Sequence, residues 1–150
     1  MADSLLLEAL AIVHNPWRAS AYLNGAQSCV MNDLVNLDTI VYDPNGNFNT
    51  GTHWYTAAVN GIYTVSWRLS SSNSAIDIVG GIWVNGAERL RGSEAIGKAG
   101  AYVGSTGAGV LVLNAGDTVG LYNSYSSGVS AALVTNAVNT YMNIMWEHAV

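Results

Sequence analysis

The sequence predicts an all-β domain of the sandwich or barrel class. Short apolar runs recur at regular spacing between Gly, Asn and Ser residues, which is typical of antiparallel strands joined by tight turns. The chain has 16 Gly and only five Lys and Arg together, a composition that disfavours a long helical bundle. Its 150 residues suffice for one domain with a sizeable core. We expect about eight to ten short strands, the number typical of a jelly roll.

The chain carries unusually little charge. Charged residues make up 10% of the sequence, and the formal net charge is −5. Because charge keeps a monomer soluble, this scarcity indicates that surface is buried between copies. The five cationic residues are scattered, and phosphate backbones require clustered cations, so we expect no nucleic-acid binding. No apolar run reaches the roughly 18–20 residues that span a bilayer, and we expect neither membrane insertion nor a signal peptide.

Residues 1–16 differ from the rest and form a predicted N-terminal arm. Asp3 or Ser4 caps a short helix that runs from Leu5 to about Val13, and Pro16 ends it. The helix either docks on its own domain or attaches to a partner, and the sequence favours neither alternative. In the second case the attachment residues are Leu5, Leu6, Leu10 and Val13.

The β pattern occupies residues 17–150, which we predict as one domain. Its clearest strand follows Gly61, where apolar residues at 63, 65, 67 and 69 alternate with polar residues at 64, 66 and 68. This alternation is typical of a half-buried antiparallel strand. We predict residues 92–109 as a loop with a weak strand, and residues 124–128 as a loop. The other predicted strands are 19–23, 37–42, 76–84, 87–90, 110–113, 119–122 and 140–148.

Three turn motifs separate the predicted strands. Asp43–Gly46 and Asn114–Asp117 have typical turn compositions, and Asn85-Gly86 is the two-residue turn favoured in hairpins. The first also resembles a calcium loop, because oxygen-bearing side chains alternate along it. However, Phe48 and Trp54 stand where such a loop needs Gly and Glu. We therefore predict a polar turn and no metal site.

A set of motifs occurs in a fixed order along about residues 19–148. They are Val41-Tyr42-Asp43, Asn47 to Gly51, Tyr55-Thr56-Ala57, Gly61-Ile62-Tyr63, Ile82 to Gly86, Leu113 to Val119 and Thr140-Tyr141-Met142. Together they resemble the globular head of complement component 1 subcomponent q, which belongs to the tumour-necrosis-factor-like jelly rolls. Residues 54–60 depart from the Phe-x-x-Pro stretch of that family, and the closing strand lacks its Phe-x-Gly. The chain is therefore similar to a distant, microbial or viral member.

The resemblance implies a compact homotrimer in which the inner sheets of three subunits pack round a threefold axis. The low charge favours the same arrangement. One face of each strand must also fill the sandwich of its own subunit, so the candidates divide between trimer interface and core. They are Tyr63, Val65, Trp67, Val110, Val112, Met142, Ile144 and Trp146.

No pattern of catalytic or metal-ligating residues stands out. The three histidines, His14, His53 and His148, lie in unrelated segments without ligand spacing. The acidic residues form no evident pair, and no serine lies in a nucleophile motif. Cys29 is the only cysteine, so the chain forms no internal disulfide. We expect a non-enzymatic protein without cofactors.

The leading functional hypothesis is a trimeric structural protein on the surface of a phage or similar particle. It would serve in capsid decoration or as a receptor-binding head of the tail, with other virion proteins bound through the arm. A host-surface glycan or protein is the further expected partner. The alternative is a soluble lectin-like or ligand-binding module. Its candidate ligand-binding residues are Asn49, His53, Trp54 and Tyr55.

Overall fold

In the computed structural model, residues 15–73, 75–98, 100–128 and 130–150 are described, and they contain strands but no helix. Apart from its last two residues, the predicted arm lies outside this part of the chain. Nine of the described strands have three residues or more. The strands are β1 Arg18–Tyr22, β2 Ser28–Cys29, β3 Thr39–Tyr42, β4 Phe48–Asn49, β5 Trp54–Thr56, β6 Gly61–Ser71, β7 Ile78–Val84, β8 Ala87–Arg91, β9 Val103–Leu113, β10 Thr118–Ser126, β11 Ala131–Ala132 and β12 Tyr141–His148.

The strands form two five-stranded sheets packed face to face. The first sheet has the order β3-β1-β12-β6-β9, and the second sheet has the order β4-β5-β10-β7-β8. A small additional sheet pairs β11 with β2. The pairings between these strands are antiparallel. The predicted all-β jelly roll is confirmed.

The strand β6 shows how the sequence builds the core. Its odd-numbered residues from 63 to 69 are buried, and its even-numbered residues from 62 to 68 are half-buried on the opposite face. Met142 and Ile144 of the neighbouring strand β12 also point into the sandwich. Five of the eight candidates for interface or core therefore lie in the interior of one subunit: Tyr63, Val65, Trp67, Met142 and Ile144.

The strand β9 joins the weak strand predicted within residues 92–109 to the strand predicted at residues 110–113. It runs over 11 residues and pairs with the whole of β6. Three successive inward positions carry the small residues Ser105, Gly107 and Gly109, and the ring of Trp67 occupies the space above Gly107. A Cβ atom at Gly107 would lie 2.2 Å from Cζ2 of Trp67. The indole Nε1 of Trp67 donates to the carbonyl of Gly80 at 3.0 Å, so the large ring is also anchored to the second sheet.

The strand β10 is longer than predicted, because residues 124–126 continue it rather than forming a loop. A register shift between Asn123 and Tyr125 lets the strand bend while it stays paired with β7. Asn123 is fully buried, and its side-chain amide donates to the carbonyl of Val30 at 3.2 Å. This bond helps to hold the segment before β3 against the second sheet.

The predicted turns are present. Asn85 and Gly86 both have positive φ, 51° and 78°, as a tight two-residue hairpin turn requires. Asp43 accepts hydrogen bonds from the backbone N–H groups of Asn47, at 3.0 Å, and Phe48, at 2.8 Å. Both of its carboxylate oxygens are thus used within the turn.

The sandwich has two distinct ends. We call the end with the turns at residues 57–60, 85–86 and 114–117 the base, and the opposite end the apex. The described chain starts at the base, where the side-chain amide of Asn15 donates to the carbonyl of Trp146 and Trp17 packs edge-on against the Trp146 ring at 5.0 Å. The described parts of the connections between β6 and β7, between β8 and β9 and between β10 and β12 lie at the apex.

Candidate interaction surfaces

The outer face of the first sheet is arranged in rows set by the strand register. Residues that face away from the core lie side by side on neighbouring strands. One row lies near the base and the next lies one step towards the apex. They consist of Arg18, Met145, Thr64 and Val110, and of Ser20, Asn143, Ser66 and Ala108.

These rows line a concave depression of about 760 Å³, to which Tyr42 of β3 also contributes. Large apolar side chains stay exposed on it and beside it. Val110 and Val112 are 58% and 68% exposed, and Met145 is 38% exposed. Val41, on the opposite edge strand, is 60% exposed. Large apolar side chains exposed together on one face make it a candidate interaction site.

One cation on this face lacks a charged partner. Arg18 donates from Nη2 to the hydroxyl of Tyr42 at 2.9 Å, and its guanidinium carbon lies 4.3 Å from the centre of the Tyr42 ring. Its Nε is buried without a hydrogen-bond partner. In the part of the chain that the structure describes, the one ion pair joins Arg91 and Glu88 on the second sheet. Arg18 therefore has donor capacity to spare.

The outer face of the second sheet carries three aromatic rings, which we call the aromatic trio: Trp54, Trp83 and Tyr122. Tyr122 stacks on Trp83 with centroids 4.3 Å apart and meets Trp54 edge-on at 5.9 Å. Gly120 lies between Trp54 and Trp83 in the sheet. Because Gly120 has no side chain, the Tyr122 ring can lie over its backbone. The indole of Trp83 donates to Ser124 at 3.0 Å, and burial raises the pKa of the Tyr122 hydroxyl.

The four candidate ligand-binding residues have separate positions. Trp54 is half-buried in the aromatic trio, whereas Tyr55 is fully buried in the core beside Tyr63. Burial raises the pKa of Tyr55, and its ring is not available to stack on a ligand. Asn49 accepts from the N–H groups of Gly51 and Thr52, at 2.8 and 3.1 Å. His53 contacts a loop carbonyl through Nδ1 at 3.0 Å, so both polar residues are committed to the loop.

The structure adds little reactive chemistry to these surfaces. Among the described residues, no group of three or more His, Cys, Asp or Glu side chains is placed to hold a metal ion. Cys29 is fully buried, and burial, with a smaller contribution from Asp33, raises its pKa to about 12. Such a thiol is a poor nucleophile near neutral pH. No helix in the described chain is long and apolar enough to cross a membrane.

Comparison with known proteins identifies the fold. No family model and no curated protein sequence matches the chain. Among solved structures, the globular domain of zebrafish complement 1qA protein is similar, with a TM-score of 0.72 and 18% identity over 89% of this chain and 98% of that one. Eiger TNF from S. frugiperda has a TM-score of 0.71 and 12% identity over 89% and 93% of the two chains. Murine APRIL at pH 5.0 has a TM-score of 0.66 and 15% identity over 87% and 99%.

The chain therefore has a tumour-necrosis-factor-like jelly-roll fold. Within that class it is similar in structure to a complement 1q globular head, as the order of its sequence motifs predicts. At these identities the likeness shows the fold alone.

Proposed function

We propose that the chain is a non-enzymatic, homotrimeric recognition or display head whose subunits meet through the outer face of the first sheet. The observation that carries this proposal is the exposed apolar depression on that face. Burial of apolar surface is the main driving force for association. Removing charged groups from water opposes association. The face carries few charges, so this cost is small, which supports the same role.

The placement of the apolar side chains favours a ring over a face-to-face pair. Val110 and Val112 lie at the β9 margin of the first sheet, and the receiving depression extends to Tyr42 at the β3 margin. When the β9 margin of one copy packs on the β3 margin of the next, two different patches meet. Contacts of this head-to-tail type form a ring when the rotation between neighbouring copies closes. The complement-head resemblance implies that the ring contains three copies.

Light scattering or sedimentation on the purified full chain tests the proposal. The expected mass is three times the chain mass of 15.8 kDa. A stable monomer at micromolar concentration would contradict it.

We further propose that this head is displayed on a virus particle through residues 1–16, as capsid decoration or as a tail receptor-binding head. The position of Asn15 and Trp17 at the base supports this arrangement, since an arm attached there leaves the apex loops free. A chain that lacks residues 1–14 should remain a folded trimer but no longer bind particles. A truncated chain that binds as well as the full chain would refute the role of the arm. Neighbouring capsid or tail genes would distinguish the two virion roles.

A second candidate function is a glycan-binding module, which the aromatic trio favours. Trp54 is half-buried there and can present part of its ring to a sugar. A glycan array should then show binding that Trp54→Ala removes. The matched control is Tyr102→Ala, which changes an aromatic residue that is 69% exposed near the apex. An array without binding would exclude this function for the sugars it displays.

A further inference from the structure

We propose that Asn45 is a site of spontaneous deamidation, in which a carboxylate replaces the side-chain amide. This inference does not depend on the proposed trimer. The sequence contains four Asn-Gly pairs, at residues 24–25, 45–46, 60–61 and 85–86. Glycine after asparagine favours the reaction, because a residue without a Cβ atom lets its backbone nitrogen come close to the preceding side chain. All four asparagines are exposed, so contact with water does not distinguish them.

The reaction requires two groups to be free. The backbone nitrogen of the glycine loses its proton to solvent and attacks Cγ of the asparagine side chain. A new C–N bond forms, the bond from Cγ to Nδ2 breaks, and the side-chain nitrogen takes up a proton and leaves as ammonia. Water then opens the five-membered ring, either at Cγ to give aspartate or at the backbone carbonyl to give isoaspartate. A hydrogen bond that holds the glycine N–H or the side-chain amide must open first, which slows the reaction.

Two of the pairs are held on one side of the reaction. The N–H of Gly25 donates to the Asp38 carboxylate at 2.7 Å, so the attacking nitrogen of the first pair is engaged. In the pair at residues 60–61, the side-chain oxygen of Asn60 accepts from the N–H of Ala115 at 2.8 Å. Its glycine is the first residue of β6 and is paired with β9. Each of these pairs must lose hydrogen bonds before its ring can close.

The pair at residues 85–86 is held by both ends of its side-chain amide. Nδ2 of Asn85 donates to the Asp117 carboxylate at 2.8 Å. Its Oδ1 accepts from the N–H of Thr118 at 2.9 Å and from the hydroxyl of the same residue at 3.2 Å. These bonds fix the Asn85 side chain across the base, away from the backbone nitrogen that would attack it.

The pair at residues 45–46 lacks these restraints. Within the described part of the chain, the side chain of Asn45 makes no hydrogen bond. The N–H of Gly46 meets the carbonyl of Asp43 at 3.4 Å, which is longer than the roughly 2.7–3.2 Å of an ordinary N–H···O bond. Both residues of the pair are exposed in the turn between β3 and β4, and no other atom lies within 4 Å of the Cβ position of Gly46. The attacking nitrogen and the amide are thus both free to approach each other.

The reaction would change the turn that joins the two sheets. Either product adds a negative charge near Asp43, in a chain whose formal net charge is already −5. The Asp43 carboxylate holds the N–H groups of Asn47 and Phe48 at 3.0 and 2.8 Å, on the far side of the reacting pair. Isoaspartate inserts one more carbon into the main chain between these partners, so it should weaken both bonds. Aspartate keeps the length of the main chain and should preserve them.

Peptide mapping by mass spectrometry, on the full chain incubated at mildly alkaline pH, tests the site. Asn45 should react at least roughly tenfold faster than each of the other three asparagines, because their hydrogen bonds must open first. In concentrated guanidinium chloride the four should react at similar rates, since each has the same Asn-Gly sequence. The matched variant is Asp38→Ala, which frees the N–H of Gly25. It should accelerate the reaction at Asn24 and leave the rate at Asn45 unchanged.

The wild-type chain alone decides the proposal, whether or not the variant folds. A folded chain in which another of the four asparagines reacts fastest would overturn it, and so would equal rates at all four. A product at position 45 that contains aspartate but no isoaspartate would exclude the ring. Amide hydrogen exchange at Asn47 and Phe48 should be faster in the isoaspartate form than in the aspartate form, and equal exchange would contradict the expected change in the turn.

Discussion

The two outer faces of the sandwich are built from the same kind of alternating strand but differ in the partners of their charged and large apolar side chains. On the second sheet, Tyr122 stacks on Trp83, and Glu88 forms an ion pair with Arg91 at 2.8 Å. On the first sheet, Val110 is exposed and Arg18 has a buried nitrogen without an acceptor. The difference favours the first sheet as the face for the proposed association, because there a cation has no charged partner among the described residues and large apolar side chains stay exposed.

The largest expected effect comes from placing a charge in the depression of the first sheet. Val110→Asp should weaken the proposed trimer roughly a thousandfold or more, because a buried unpaired charge costs several kcal/mol. The subunit should stay folded, since Val110 is 58% exposed within one chain. Sedimentation equilibrium measures the association constant.

The matched control for this variant is Thr56→Asp, on an exposed position of the second sheet. It should leave the assembly intact. If Thr56→Asp dissociates the trimer and Val110→Asp does not, the roles of the two faces are reversed.

Removing the central ring of the aromatic trio should have the next largest effect, on folding and not on assembly. Tyr122 is 8% exposed and contacts both tryptophans. Tyr122→Ala should lower the free energy of unfolding by about 3 kcal/mol, the usual cost of deleting a buried aromatic side chain. Urea denaturation measures this change. Tyr122→Phe, which keeps the ring, should retain most of the stability, and an equal loss in both variants would show that stacking is not the cause.

A smaller loss of stability is expected when a side chain is added at Gly120, where the aromatic trio covers the backbone. A Cβ atom at Gly120 would lie 3.0 Å from Cδ1 of Leu34 and 3.3 Å from both Trp54 and Tyr122. Gly120→Ala should therefore cost about 1 kcal/mol through overpacking. Because the shortest contact is with Leu34, the same substitution in a Leu34→Ala background should cost less. Equal losses in the two backgrounds would locate the strain elsewhere.

The smallest effect concerns the ion pair of the second sheet and depends on pH. Hydrogen bonds from Arg91 lower the pKa of Glu88, burial opposes the shift, and Ser124 adds to it. A lowered pKa in the folded state stabilises the protein above the unfolded value of about 4.3, and this contribution is lost as the pH falls through the folded value. Glu88→Gln should cost less than roughly 0.5 kcal/mol at pH 7, because the Arg91 side chain is 56% exposed and solvent screens the pair. In urea titrations this cost should shrink as the pH falls through the folded pKa of Glu88, and a cost that grows at low pH would contradict the assignment.

The sequence predicts well those parts of the fold whose local pattern agrees with their environment. Alternation in β6 gives both its extent and its buried face, and Asn85-Gly86 gives the hairpin. The sequence predicted only a weak strand before Val110, because three successive inward positions of β9 are Ser105, Gly107 and Gly109. Only contacts with distant side chains explain the two glycines, since Gly107 lies under Trp67 and Gly109 under Leu90. Local propensity contains no information about such a partner.

The candidate surfaces were harder to predict for the same reason. Alternation around Tyr55 could have shown that it faces the core while Trp54 faces outwards. Trp83 and Tyr122 complete the trio from strands distant in the sequence, and no local pattern joins them to Trp54. The arm at residues 1–16 stays a prediction, since nearly all of it lies outside the described residues.

The contact between Trp67 and Gly107 also constrains how this chain can diverge. One indole fills the volume that two ordinary side chains would share, so the two positions cannot change independently. A larger residue at 107 would be tolerated only in a lineage that had first exchanged Trp67 for a smaller side chain, and that exchange alone would leave a cavity. Related chains with this fold should therefore have a large side chain at the position of Trp67 or at the position of Gly107, but not at both.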